Sequence, residues 1–232
     1  GDGADSKGLG MTKIIAFEGI DGTGKTVQLQ RLAGRLSQER NLSVMTLSFP
    51  MYDTFFGAEV GRLLSGSGGV RANEVDQKSM ALWYALDRFE AFRNFDFSSA
   101  DVLLINRYVL SNVVYQSVRE RDLEQPDLLD FVLELEYEHF RIPRADAHIV
   151  LDMNPEAASE NVGKKGFREY VGDRPDIYEA LPDIQKRARE KYISFSKRMP
   201  NLYVIPCMEQ NRLKSIEAIG GLVDEVVDRL LF

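Results

Sequence analysis

The sequence predicts a doubly wound α/β fold: a five-stranded parallel sheet with helices on both faces. Three observations carry that expectation. Five short apolar runs, rich in β-branched residues, punctuate the chain. Longer stretches with an apolar period of about 3.6 residues lie between them. The first run also leads directly into a glycine-rich turn that opens a helix, as in sheets that bind ligands beyond the carboxyl ends of their strands.

The expected strands are Ile14–Phe17, Val44–Leu47, Val102–Ile105, His148–Leu151 and Leu202–Ile205, each bounded by polar or turn residues. Runs this continuously apolar suit parallel strands buried on both faces. Helical periodicity spans Lys25–Glu39, Asn73–Phe95, Ser111–Phe140 with a break at Pro126, Leu181–Arg198 and Leu213–Leu230. The apolar face of Asn73–Phe95 suits either the core or a contact with a second chain. Residues 161–176, "NVGKKGFREYVGDRPD", are charged and glycine-punctuated and read as an irregular excursion.

Composition narrows the function. The 232 residues are 44% apolar and 28% charged, with a net charge of −7. An acidic chain is a poor non-specific partner for nucleic acid or an anionic membrane, so an anionic substrate needs a locally basic pocket. One cysteine, Cys207, allows no intrachain disulfide, and two histidines argue against a histidine-rich metal site. These features fit a cytoplasmic protein. No apolar run approaches the ~20 residues needed to cross a bilayer. Residues 1–10, "GDGADSKGLG", read as an expression scar before Met11, leaving one domain over residues 11–232.

The glycine-rich turn is "GIDGTGKT": Gly19, Ile20, Asp21, Gly22, Thr23, Gly24, Lys25 and Thr26. It matches G-x-x-x-x-G-K-[ST] between a strand and a helix, the context of a P-loop. The glycines let successive N–H groups turn inward around a phosphate chain, and the helix N-terminus adds partial positive charge. Lys25 reaches the β- and γ-phosphates of ATP, and Thr26 is a ligand for Mg²⁺.

Further segments narrow the class: "SFPMY" (Ser48–Tyr52), "ALWYALDRFEAF" (Ala81–Phe92), "LLINRYVLSNVVYQ" (Leu103–Gln116), "IVLDMNPE", and a basic segment followed by Asp173-Arg174. Together with the P-loop they resemble the thymidylate kinase family from about Lys13 to the C-terminus. The resemblance implies a nucleoside monophosphate kinase fold, transfer of the γ-phosphate of ATP to dTMP, Mg²⁺ and a homodimer.

Tyr84 and Arg88 lie four apart and share a helix face, where a ring and a guanidinium can stack on and bond a base. By resemblance, Tyr84 stacks on thymine and Arg88 reads its O4, while Arg107 holds the acceptor phosphate and stabilises the transferred charge. Asp21 bonds the acceptor 3′-hydroxyl. Phe49, Tyr52, Ser111 and Tyr115 line the nucleoside pocket, with Tyr115 against the sugar 2′ carbon. Asn112 and Gln116 are candidate partners for the base edge. Residues 155–177 match the family's lid. The P-loop has no arginine at Gly22 or Thr23, so Lys164, Lys165 and Arg168 of the lid take the catalytic charge, and Arg174 belongs to the ATP site.

Two departures stand out. The family's usual D-R-Y is Asn106-Arg107-Tyr108 here, and asparagine is a weaker ligand for a hard cation. That moves a metal role toward Glu18, next to the P-loop, or to a water shell. The arginine common after F-P is replaced by Met51. An alternative acceptor, another nucleoside monophosphate or a deoxynucleoside, therefore stays open. Replacing Lys25 with alanine is expected to abolish turnover while circular dichroism and the melting temperature stay near wild type; retained phosphotransfer would remove the P-loop assignment.

Overall fold

The computed structural model describes residues 12–164 and 182–232. Five parallel strands, β1 (Lys13–Glu18), β2 (Val44–Ser48), β3 (Val102–Asn106), β4 (Ala147–Asp152) and β5 (Leu202–Pro206), form one sheet in the order β2-β3-β1-β4-β5. All five expected strands are present. β1 is central and apolar from Ile14 to Phe17: Ile15, Ala16 and Phe17 are fully buried because helices cover both faces. The edge strand β2 differs from the expectation of a buried run. With one neighbour it alternates half-buried and exposed positions.

The order reverses at β1, which pairs β3 on one side and β4 on the other. This reversal places the ligand-binding crevice of an open α/β sheet at the carboxyl end of β1. The register aligns three strand ends there, since Phe17 and Ser48 both pair Asn106. Backbone bonds continue past the sheet, from Arg107 N to Phe17 O at 2.9 Å and from Phe49 N to Asn106 O at 3.0 Å.

Helix α1 (Lys25–Glu39) runs over the expected residues. α2 (Phe55–Ser65) was not legible because Gly57 and Gly61 interrupt its pattern. It is stabilised from outside: Thr54 Oγ1 accepts from Gly57 N, and Glu90 accepts from Phe55 N and Phe56 N. Gly57 is required by packing, since a Cβ there would sit 1.7 Å from the Met51 carbonyl oxygen. α3 (Gln77–Arg93) starts four residues later than expected, at the N-cap Asp76, whose carboxylate accepts from Ser79 N.

The long pattern from Ser111 breaks before Pro126. α4 (Val109–Ser117) ends, a 3₁₀ turn follows at Glu120–Asp122, and α5 (Leu129–Leu133) runs into a π-helical turn at Glu134–His139. Residues 155–164 of the expected lid form α6 (Pro155–Lys164). Residues 165–177 lie outside the described residues. α7 (Pro182–Phe195), a short hairpin of β6 (Met208–Glu209) and β7 (Arg212–Leu213), and α8 (Ile216–Leu231) complete the chain.

On β4, His148 is buried among apolar groups and its Nδ1 has no hydrogen-bond partner. Burial pushes the imidazole down from 6.5 to about 4. As pH falls below 6.5 the unfolded chain takes up this proton while the folded one does not, so stability drains away between pH 6.5 and 4. The loss reaches about 3 kcal/mol at most. His148→Met is expected to flatten that part of the stability curve, measured by urea denaturation at pH 7 and pH 4.5.

Candidate active site

The crevice is organised around Glu18, the last residue of β1. Its Oε1 accepts from Tyr108 N at 2.8 Å and Ser111 N at 3.3 Å; its Oε2 accepts from the Ser111 hydroxyl and from Tyr192 Oη at 3.3 Å. Burial raises its pKa, and the bonds from Ser111 and Tyr108 offset part of that rise. The sequence reading assigned Glu18 to the metal. The structure shows the carboxylate otherwise engaged: the side chain is fully buried, and both oxygens accept bonds that fix the β3–α4 turn against β1 and α7.

That turn holds Arg107 at φ 62°, in the left-handed region that a non-glycine residue enters at a cost. The conformation aims the side chain across the crevice. Arg107 Nη2 donates to Asp21 Oδ1 at 2.5 Å, and Nη1 donates to Ser111 Oγ at 3.3 Å. Its guanidinium carbon lies 5.5 Å from the centre of the Tyr115 ring. Burial opposes the charge on Arg107, yet Asp21 first, with Tyr115, Tyr192 and Glu18 behind it, together more than compensate and hold it protonated.

α7 contributes two residues that the sequence reading missed. Gln185 Nε2 donates to Asp21 Oδ2 at 3.0 Å, and its Oε1 accepts from Tyr115 Oη at 3.1 Å. Tyr192 meets Ser111 and Glu18. The signal was present: Gln185, Ala188, Tyr192 and Phe195 are buried at spacings of three and four, one helix face carrying two polar tips.

In the P-loop, Lys25 Nζ donates to Gly19 O at 3.0 Å and Ile20 O at 2.8 Å. Gly22 has φ 87°, and a Cβ there would meet Ala158 O of α6 at 2.0 Å. Asn161 Nδ2 donates to Gly22 O at 2.9 Å, so α6 is fastened to the loop. At the other end, Asn106 Nδ2 donates to Thr26 Oγ1 at 3.3 Å. Asn106 Oδ1 is enclosed and makes no hydrogen bond. A spare carbonyl oxygen beside a threonine hydroxyl is a donor set that a hard cation, directly or through its water, can use.

The expected base side lies between α3 and α4. Phe49 is buried, its ring 5.9 Å from Phe92 and 6.1 Å from Tyr108. Asp87 accepts from Met51 N at 3.2 Å through both oxygens, and burial lifts its pKa to about 6. Tyr84 and Tyr52 are half-buried against the core. Arg88 departs from a side chain simply displayed beside Tyr84. It is 2% exposed and bound side-on by Glu136, through Nε and through Nη2 at 2.7 Å. Asn112 Nδ2 also reaches Glu136, at 3.2 Å, and Gln116 is fully buried nearby on α4. Arg62 of α2 pairs with Glu59 on the surface at 2.9 Å. The backbone of Lys164 closes α6; Lys165, Arg168 and Arg174 lie outside the described residues.

The sequence pattern of the thymidylate kinase family matches residues 17–216. The chain belongs to the thymidylate kinase family. Among related proteins, a thymidylate kinase of Mycobacterium tuberculosis (strain H37Rv) is 30% identical over 182 residues, covering 77% of this chain and 83% of that one. A probable thymidylate kinase of Thermococcus onnurineus (strain NA1) is 26% identical over 224 residues, covering 94% and 98%. Among solved structures, thymidylate kinase from Candida albicans superimposes with a TM-score of 0.67 at 16% identity, covering 94% and 92%. That from Ehrlichia chaffeensis gives 0.63 at 20%, covering 93% and 98%. These likenesses establish the fold of this family member: a nucleoside monophosphate kinase sheet with a P-loop after its central strand.

Gly22→Ala tests the fastening of the P-loop. The substitution combines positive φ with a collision against backbone, so a destabilisation of about 1–3 kcal/mol is expected. Thermal melts and ATP titration are the measurements, with ATP affinity falling together with the melting temperature.

Proposed function

We propose that this chain transfers the γ-phosphate of ATP to dTMP, giving dTDP on the route to dTTP. The observation that carries the reading is the Asp21–Arg107 contact. It joins the donor's phosphate loop directly to the residue expected to hold the acceptor phosphate. Phosphoryl transfer asks for that adjacency above all, since positioning and charge stabilisation do most of the work.

In the proposed mechanism, Lys25 exchanges the carbonyls of Gly19 and Ile20 for the β- and γ-phosphates, with the P-loop N–H groups wrapping the same chain. Arg107 holds the acceptor phosphate and spreads its positive charge over the group in transfer. Asp21, held by Arg107 and Gln185, orients the acceptor sugar. Tyr115 stands against the 2′ carbon. Thr26 and Asn106 would hold Mg²⁺, which would supply positive charge against the phosphates. Lys164, Lys165 and Arg168 complete the charge around the transferred group from the lid, and Arg174 contacts ATP.

A cytoplasmic homodimer without nucleic-acid or membrane partners is part of the same proposal. Exposed apolar side chains on the adjacent helices α2 and α3, Phe55, Leu82 and Phe89, support a contact between two copies. No helix among the described residues is long and apolar enough to cross a membrane.

The test is ADP release from Mg-ATP with dTMP, dUMP, dCMP, dAMP, dGMP, UMP and thymidine in turn. Strong turnover of dTMP, weaker turnover of dUMP and none of thymidine is expected. Silence with dTMP and turnover of another acceptor would replace this reading with that of a different nucleotide kinase.

A further inference from the structure

Glu136 stands apart from the residues already given a role. It is fully buried, it sits in the π-helical turn Glu134–His139, and it engages two separate helices. Its carboxylate takes Nε and Nη2 of Arg88 from α3 and Nδ2 of Asn112 from α4. Asn112 Nδ2 also donates to Ala81 O at 2.9 Å. Both neighbours of that nitrogen are acceptors only, which fixes the orientation of the amide on chemical grounds. The other end, Oδ1, is therefore an acceptor, and it is buried without a hydrogen-bond partner. Side-on binding by Nε and Nη2 likewise leaves Nη1 as the guanidinium nitrogen turned away from Glu136.

We infer that Glu136 is a positioning residue for acceptor choice. Through one carboxylate it fixes Arg88 and Asn112 so that the guanidinium nitrogen turned away from it, Nη1, and the unbonded amide oxygen, Oδ1, are the donor and acceptor that meet the base. The inference rests on the nucleotide-kinase reading with the base between α3 and α4. A donor beside an acceptor is met by an imide edge, where a ring N–H adjoins a carbonyl, as in thymine and uracil. Cytosine reverses both groups, with a bare ring nitrogen beside an amino group, and leaves the buried Oδ1 facing a lone pair. Glu136 thus sets selectivity without touching the substrate, as groups behind a binding residue do when they lock its orientation.

Glu136→Gln keeps the volume but removes the charge, and it offers only one acceptor oxygen for three donors. The expected result is a KM for dTMP raised about tenfold or more with the KM for ATP within about twofold, and a dTMP-over-dCMP preference reduced by about tenfold or more. Asn112→Ala removes the acceptor oxygen and leaves the Arg88–Glu136 pair in place. It is expected to erode the same preference, and it decides the matter if the Glu136 variant does not fold. Equal changes in both KM values, or a lowered melting temperature with preference intact, would assign Glu136 to the fold alone and overturn the inference. Unchanged selectivity in Asn112→Ala would also overturn it. A wild-type enzyme that takes dUMP but not dTMP removes the thymidylate reading and leaves this inference standing. A wild type that prefers dCMP overturns both, whereas a dTMP-preferring wild type whose preference survives in Asn112→Ala overturns this inference alone.

Discussion

The carboxylate of Glu18 is the constraint on which the rest of the site depends. A buried acid at the end of the central strand is costly, and it is tolerated because four donors converge on it. Those donors come from the β3–α4 turn and from α7, while Glu18 itself precedes Gly19 of the phosphate loop. One side chain therefore sets the mutual position of the nucleotide loop, the strained Arg107 and the helix that carries Gln185. Removing it would strand several donors at once, so its importance is architectural even though it lies one residue from the chemistry.

The site also resolves the problem raised by an acidic protein that handles anions. Its cations are not left loose: Arg107 is met by Asp21, and Arg88 by Glu136. Each pair keeps a guanidinium charged and aimed. Such pairs are poor investments in stability alone. Breaking a buried pair costs about 3–5 kcal/mol, while replacing both partners by apolar groups is often neutral or better. Their use here is orientation, which apolar residues cannot supply.

The sheet was legible in the sequence because parallel strands buried on both faces are continuous apolar runs, and Lys25–Glu39 was legible because it is a regular amphipathic helix after an unmistakable loop. The P-loop was legible because local spacing defines it, and Arg107 was named because its segment resembles one of the family's. The bonding of Glu18 was not legible because nothing local says that a carboxylate beside a phosphate loop points inward; that follows from the Tyr108, Ser111 and Tyr192 donors, up to 174 residues away in sequence. Arg88 was found but its surroundings were not, since Glu136 lies 48 residues on, in a segment whose helical pattern hides the π turn. α2 escaped because its glycines are set by the chain packed against it, not by helix propensity.

The π turn carries an evolutionary consequence. Such a turn amounts to one extra residue accommodated within a helix. Deleting a single codon there would restore an ordinary α-helix and rotate everything beyond it by about 100°. The contact between this helix and its two neighbours can therefore be created or erased in one step, without any change in the residues that meet the substrate. Helix length in this segment, more than residue identity in the pocket, then becomes the trait along which lineages of this enzyme can diverge.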